Sequence, residues 1–203
     1  MYSYDPGAGH GLAHDPLKTI IGPRPIGWIG TRSAQGVRNL APYSFFNVVN
    51  DTPPVLMFCS SGYKDSVANI EATGCFTWNL VTRDLAAAMN ATSAPVPAAI
   101  DEFELAGLAA RPGEVVAADC VADAAVAMEC RMISVQRLHD AAGRPLDGWL
   151  TLGEVVRVHI DPACLAEGGF VLPPGREPVL RGGGPTAYYA PDARVRFEMT
   201  RPQ

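Results

Sequence analysis

The sequence predicts a mostly β protein with short helices, folded as a closed or nearly closed antiparallel barrel. Three observations lead there. Segments with strand character outnumber those with helical spacing. No regular β-α-β alternation appears, which argues against a parallel sheet with crossover helices. In one long strand, Met128, Cys130 and Met132 carry the apolar phase, and then Ile133 and Val135 take it over. A one-residue slip of that kind marks a bulge or corner, as barrels require.

Taken in order, residues 1–16 are rich in Gly, His, Asp and Pro and read as an irregular arm on a single domain spanning 1–203. Ile26 to Thr31 reads as a strand, and Ser33-Ala-Gln-Gly36 as a hairpin turn into Val37–Ala41. Pro53-Pro54 cannot continue a ladder and mark the entry to a strand over Val55–Cys59. Asp65 or Ser66 is suited to cap a short helix whose Val67 and Ile70 share a face, and Gly74 ends it. Cys75–Val81 is the next strand. Thr82 is expected to cap a second helix carrying Leu85, Ala88, Met89 and Thr92 on one face. Residues 93–125 read as loop with a helical turn at Asp101–Leu105. Two long strands follow, and in the second Val156, Val158 and Ile160 face one side while Arg157 and His159 face the other. The tail ends in an alternating Val195–Met199, expected as a strand.

Composition narrows the function. The chain has a net charge of −5 and no basic block, which argues against nucleic acid. No run approaches the roughly 18 apolar residues of a membrane helix, and the first residues lack the pattern of a signal peptide. A cytoplasmic protein without membrane or nucleic-acid partners is expected. The five cysteines show no C-x-x-C pair and sit largely in apolar strand patterns, so they read as reduced thiols. No metal site is expected: His10 and His14 have helical ligand spacing, but Gly11 lies between them and no Glu follows His10. There is no G-x-S-x-G elbow and no P-loop.

Two adjoining stretches carry chemistry. Ser60-Ser61-Gly-Tyr-Lys64-Asp65-Ser66 places hydroxyls, a lysine and a helix N-terminus just past an apolar strand. Free N–H groups and the positive dipole end suit a phosphate there. The same residues also suit a polar loop with an ordinary cap. Before them, Asn39-Leu-Ala41-Pro42-Tyr43-Ser44-Phe45-Phe46 is expected to break a strand at Pro42, leaving backbone groups that a flat ring could satisfy. The alternative is that Phe45 and Phe46 serve only as core and interface. His159 reads either as a structurally bonded strand residue or as a pocket-lining proton donor. The residues alone thus point to a barrel that binds an aromatic phosphate such as FMN.

The order of Pro23-Arg24-Pro25-Ile-Gly-Trp28, Asn39 to Phe46, Lys64-Asp65-Ser66, Asn79-Leu-Val, Gly153 to His159 and Gly182-Gly to Tyr188 resembles the flavin reductase-like family. Within it, the subgroup containing flavoredoxin and the reductase components of two-component monooxygenases is the most similar. The resemblance implies a Greek-key split β-barrel, a homodimer and one FMN per subunit. It implies that Asn39 to Phe46 edges the flavin ring and that Ser60, Ser61, Lys64, Asp65 and Ser66 surround its phosphate. Arg24 would lie in a segment approaching the flavin, and His159 and Tyr188 (or its neighbour Tyr189) near the open face or the partner subunit. The activity implied is NAD(P)H:flavin reduction, with reduced flavin passing to a flavin-dependent monooxygenase. A flavoredoxin-like electron carrier reduced by a protein partner, or a non-catalytic ligand-binding barrel, are the alternatives.

Overall fold

The computed structural model describes residues 1–202 other than Glu167. After a one-turn helix α1 (Leu17–Ile20), the chain forms β1 (Gly27–Arg32), β2 (Arg38–Tyr43), β3 (Phe46–Asp51) and β4 (Pro54–Ser61). Helix α2 (Asp65–Thr73) leads to β5 (Cys75–Asn79), and a 3-10 turn at Arg83–Leu85 runs into α3 (Ala86–Ala91). Then come α4 (Glu102–Leu105), the small β6–β7 hairpin (Ala110–Pro112, Asp119–Val121), and the long hairpin of β8 (Val126–His139) and β9 (Pro145–Ile160). Short ladders β10–β11 (Leu165–Ala166, Gly169–Phe170) and β12–β13 (Leu180–Arg181, Tyr188–Tyr189) complete the list of strands.

The seven long strands form one antiparallel sheet in the order β2-β1-β5-β8-β9-β4-β3. Its two edge strands are consecutive in sequence, joined only by Ser44 and Phe45. The sheet therefore curls until its edges meet at that corner, where Cys59 N–H of β4 donates to Phe45 O at 2.8 Å. Curvature comes from bulges in the β8–β9 hairpin, with register shifts at Glu129/Cys130, Met132/Ser134 and Arg137/His139. The second is the apolar phase slip visible in the sequence.

Alternation on β1 separates two cores: Ile29 packs with Phe58, Ile70 and Phe76, while Trp28 packs with Leu40, Met89 and Phe103. Helix α2 covers the first by burying Val67 and Ile70, and ends at Gly74, whose φ of 72° is the left-handed cap position that glycine adopts without Cβ strain. Four cysteines are buried and Cys59 is half-buried, all unpaired. Burial pushes the Cys120 thiol up to about 11 and raises Cys130 as well, so both stay protonated at neutral pH. No described helix is long and apolar enough to cross a membrane.

Several expectations need correction. Pro42 does not break β2: it lies inside the strand, paired with Trp28. β2 is an edge strand, and Leu40, two residues earlier, turns its N–H outward to Glu102, so the N–H that proline lacks would have pointed away from β1 as well. The strand β3 follows where none was expected. Neither Asp65, Ser66 nor Thr82 caps its helix through a side chain; the N-cap of α2 is Lys64. The 195–199 tail is not a strand, because among the described residues nothing pairs with it and its apolar side chains stand exposed.

Candidate functional site

The end of β4 sets up the phosphate-like corner. Ser60 is fully buried, and its Oγ donates to Gly62 O at 2.8 Å. Gly62, at φ 93°, turns the chain and donates its N–H to Asp147 O at 2.7 Å. Lys64 is thereby placed at the N-cap of α2 in extended conformation, with no side chain capping the first turn. Val67 and Ala68 donate to Lys64 O, whereas the N–H groups of Asp65 and Ser66 have no acceptor from the helix itself. Lys64 and Asp65 balance each other in charge, leaving the oriented N–H groups as the net attraction for an anion.

Asn39 of β2 ties this helix to the barrel edge. Its Oδ1 accepts from Thr31 Oγ1 (3.0 Å) and Ser66 Oγ (2.8 Å), and its Nδ2 donates to Glu102 Oε2 (3.0 Å). The same Glu102 oxygen accepts from Leu40 N–H at 3.1 Å. Glu102 is carried by α4, whose N-cap Asp101 accepts from the N–H groups of Phe103 and Glu104. Burial pushes the Glu102 carboxyl above its ordinary range, opposed by the hydrogen bonds from Leu40 and Asn39.

These pieces surround a cavity of about 580 Å³, a size that suits a small-molecule ligand. Asn39, Ala41, Pro42 and Tyr43 form one wall, Lys64 to Ser66 a second, and the Thr92–Pro97 loop with Glu102 a third. The Tyr43 hydroxyl is buried beside the hydroxyls of Ser60 and Ser66, which donate to Gly62 and Asn39, and it completes no hydrogen bond of good geometry among the described residues. Burial pushes its pKa up, softened by Ser66 and Ser60. Among the described residues, a helix start without a side-chain cap, a lysine without a carboxylate in ion-pair range and a buried hydroxyl without a partner edge this cavity, and they fit a group that carries a phosphate and a ring with acceptors.

The sequence-predicted residues therefore divide. Asn39, Ala41, Pro42, Tyr43, Lys64, Asp65 and Ser66 come together at the cavity. Ser60 shapes the loop from behind, and Ser61 stands exposed at the end of β4. Ser44 accepts from Arg24 Nη2 at 3.4 Å, Phe45 is exposed at the corner, and Phe46 is buried, stacked nearly parallel on Trp78 at 5.8 Å. Arg24 reaches Ser44 and the Phe45 ring, and Tyr188 pairs with Arg181 in the β12–β13 ladder; neither lines this cavity. His159 is not at this cavity: its Nε2 lies 2.6 Å from Glu129 Oε1, and it lines a second, polar hollow with Arg111 and Arg176. Its bonded, structural reading is the one this placement favours. The sequence reading missed the Thr92–Pro97 wall and Glu102. The former carries only Thr92 and Ser93 as polar side chains, both hydrogen-bonded within the fold, and the latter looked like an ordinary residue of a short helical turn.

Comparison with known proteins agrees with this geometry. The family described as Flavin reductase like domain matches residues 22–179. An uncharacterized protein of Aquifex aeolicus is 35% identical over 170 residues, covering 81% of this chain and 83% of that protein. Nitrilotriacetate monooxygenase component B from Bacillus cereus superposes with a TM-score of 0.85 at 28% identity, covering 98% of this chain and 100% of that one. A protein of Shewanella frigidimarina described as a flavin reductase with a split barrel domain superposes at 0.76 with 23% identity, covering 91% and 90% of the two chains, and so shares the fold. The architecture is a split barrel, and the chain belongs to the flavin reductase-like domain family.

Proposed function

We propose that the protein is an FMN-binding oxidoreductase that takes hydride from NAD(P)H, acts as a homodimer, and supplies reduced flavin to a monooxygenase. The observation that carries the reading is the cavity that joins the uncapped start of α2 and Lys64 to the edge of β2. Lys64 and the N–H groups of Asp65 and Ser66 would hold the phosphate. Ala41, Pro42 and Tyr43 would edge the ring, with the Tyr43 hydroxyl supplying the hydrogen bond it now lacks. FMN, when bound, supplies the redox chemistry; the chain orients it and limits access of water. Similarity to component B of a monooxygenase supports the role of supplying reduced flavin. A second copy as partner is supported by exposed Val48 and Val49 on edge strand β3 and by exposed Ile20 and Ile21.

The test is anaerobic addition of NADH and NADPH to protein saturated with FMN, followed by visible absorbance. Bleaching of the flavin band well above the rate with free FMN is expected. Bound FMN that neither nucleotide reduces would refute the reductase reading, and reduction by a ferredoxin-type donor instead would establish the electron-carrier alternative.

A further inference from the structure

Beyond β13 the chain carries a segment patterned as a strand but unpaired among the described residues. Val195, Phe197 and Met199 alternate with Arg196 and Glu198, and the three apolar side chains are 74%, 78% and 85% exposed. Arg196 Nη2 donates to Glu198 Oε1 at 2.7 Å, so the polar phase gathers on one side, as alternate residues of an extended chain do. Among the described residues, no backbone hydrogen bond involves 196–202. An apolar row with a free backbone suits addition to an open sheet edge.

The seven-stranded sheet has two edges, and they differ. The β2 edge is closed: Glu102 takes the Leu40 N–H, Pro42 offers none, and Arg38 pairs with Asp101 and Glu104 at α4. The β3 edge is open. Phe45 O accepts from Cys59 N–H, so alternation turns the N–H and C=O groups of Phe46 and Val48 outward. The Val48 N–H reaches only the side chain of its neighbour Asn47, at 2.9 Å, and residues 47–51 are all exposed.

The segment also leaves the barrel beside that edge. Tyr188 of β13 pairs with Arg181, and Arg181 pairs with Arg24 in a two-bond bridge. Arg24 in turn reaches Ser44 and the ring of Phe45, one residue before β3. Donor segment and acceptor edge thus share one corner, with exposed Ile21 held there by its carbonyl on Arg24. Such a patch can meet its own copy about a two-fold axis, each subunit giving a strand and receiving one. Charge agrees: residues 193–203 hold three arginines and one glutamate in a chain of net charge −5, and Asp51 ends β3. We infer that residues 195–199 pair as a strand along the outer edge of β3 of a second copy, laying Val195, Phe197 and Met199 beside its exposed valines. The pairing rests on the homodimer proposed above and names the segment that closes it.

The experiment is sedimentation equilibrium of the full-length protein and Phe197→Asp, with amide hydrogen exchange measured on both. Phe197 is exposed and lies outside the Lys64 cavity, so the variant should fold. The expected result is a dimer whose dissociation constant rises about tenfold or more in Phe197→Asp. In the unaltered dimer the amides of 196–199 and Val48 should be protected, and they should lose that protection in Phe197→Asp and on dilution to monomer. A dimer of equal affinity in Phe197→Asp, or one whose 196–199 amides exchange freely, would overturn the strand pairing and leave the homodimer standing. Protection that survives dilution to monomer would overturn it too, placing the segment on its own subunit. An unaltered protein that stays monomeric at every concentration would sink the homodimer reading itself, and the pairing with it.

Discussion

Two buried carboxylates, Glu129 and Glu102, are built from similar parts and end in opposite states. Glu129 on β8 is fully buried, and both its oxygens are filled. Oε1 accepts from Glu114 N–H (2.8 Å) and pairs with His159 Nε2, and Oε2 accepts from the N–H groups of Val115 (2.7 Å) and Val116 (2.9 Å). Burial pushes its carboxyl up, yet the hydrogen bonds from Glu114, His159, Val115 and Val116 outweigh it and hold the group below its ordinary value. Glu102 spends one oxygen on Asn39 and Leu40 and lines the cavity, where the neighbouring Tyr43 hydroxyl and helix start are also incomplete. Polar groups that satisfy one another stabilise a loop; polar groups left waiting mark where a ligand belongs.

The sharpest way to break this contrast is Glu129→Gln. It strands N–H donors of the 114–116 loop against an amide, and should cost about 3–5 kcal/mol in urea denaturation. FMN affinity of the folded fraction should not change; a large affinity loss at unchanged stability would place the cluster at the wrong end of the comparison. A smaller effect is expected from Tyr43→Phe. Removing an unpaired buried hydroxyl should leave the FMN-free protein as stable or slightly more so, while FMN affinity falls by about 0.5–1.5 kcal/mol in a fluorescence titration. Equal affinity would remove Tyr43 from the site.

The smallest effect separates the two carboxyls by pH. Glu102 has a raised folded-state pKa, so its contribution is most favourable in acid and is lost as pH rises from about 4.5 through the folded value. Stability curves of the unaltered protein and Glu102→Gln should therefore draw apart over that range, with the glutamine variant gaining relative stability as pH rises. Glu129 has the opposite sign. Its depressed pKa gives stability that is present above about 4.5 and lost as pH falls through the folded value. Parallel curves for Glu102→Gln would contradict the raised pKa.

What the sequence made legible follows the same physics. The barrel class could be read because period-two alternation and the slip at Met132 and Ile133 are local patterns. The helix over Asp65–Thr73 and its Gly74 stop were equally local. Lys64 and Ser66 could be chosen because a helix start advertises itself in residue types. Strand β3 was hidden, since Val48 and Val49 are exposed on an edge and Asn47, Asn50 and Asp51 are poor strand formers. Glu102 and Asn39 meet across 63 positions, and no spacing rule reports such a pair. The placement of His159 depended on Glu129, a strand neighbour across a bulged register. Alternation alone put both on polar phases without showing that they satisfy each other.

The central claim is that the cavity beside Lys64 holds the phosphate of FMN, and titration of FMN into unaltered protein and Lys64→Ala tests it most directly. The account predicts saturable binding with flavin fluorescence quenched, and an affinity loss in Lys64→Ala of about 1.5–3 kcal/mol, more than tenfold, at an unchanged urea midpoint. Equal FMN affinity in the two proteins would contradict it.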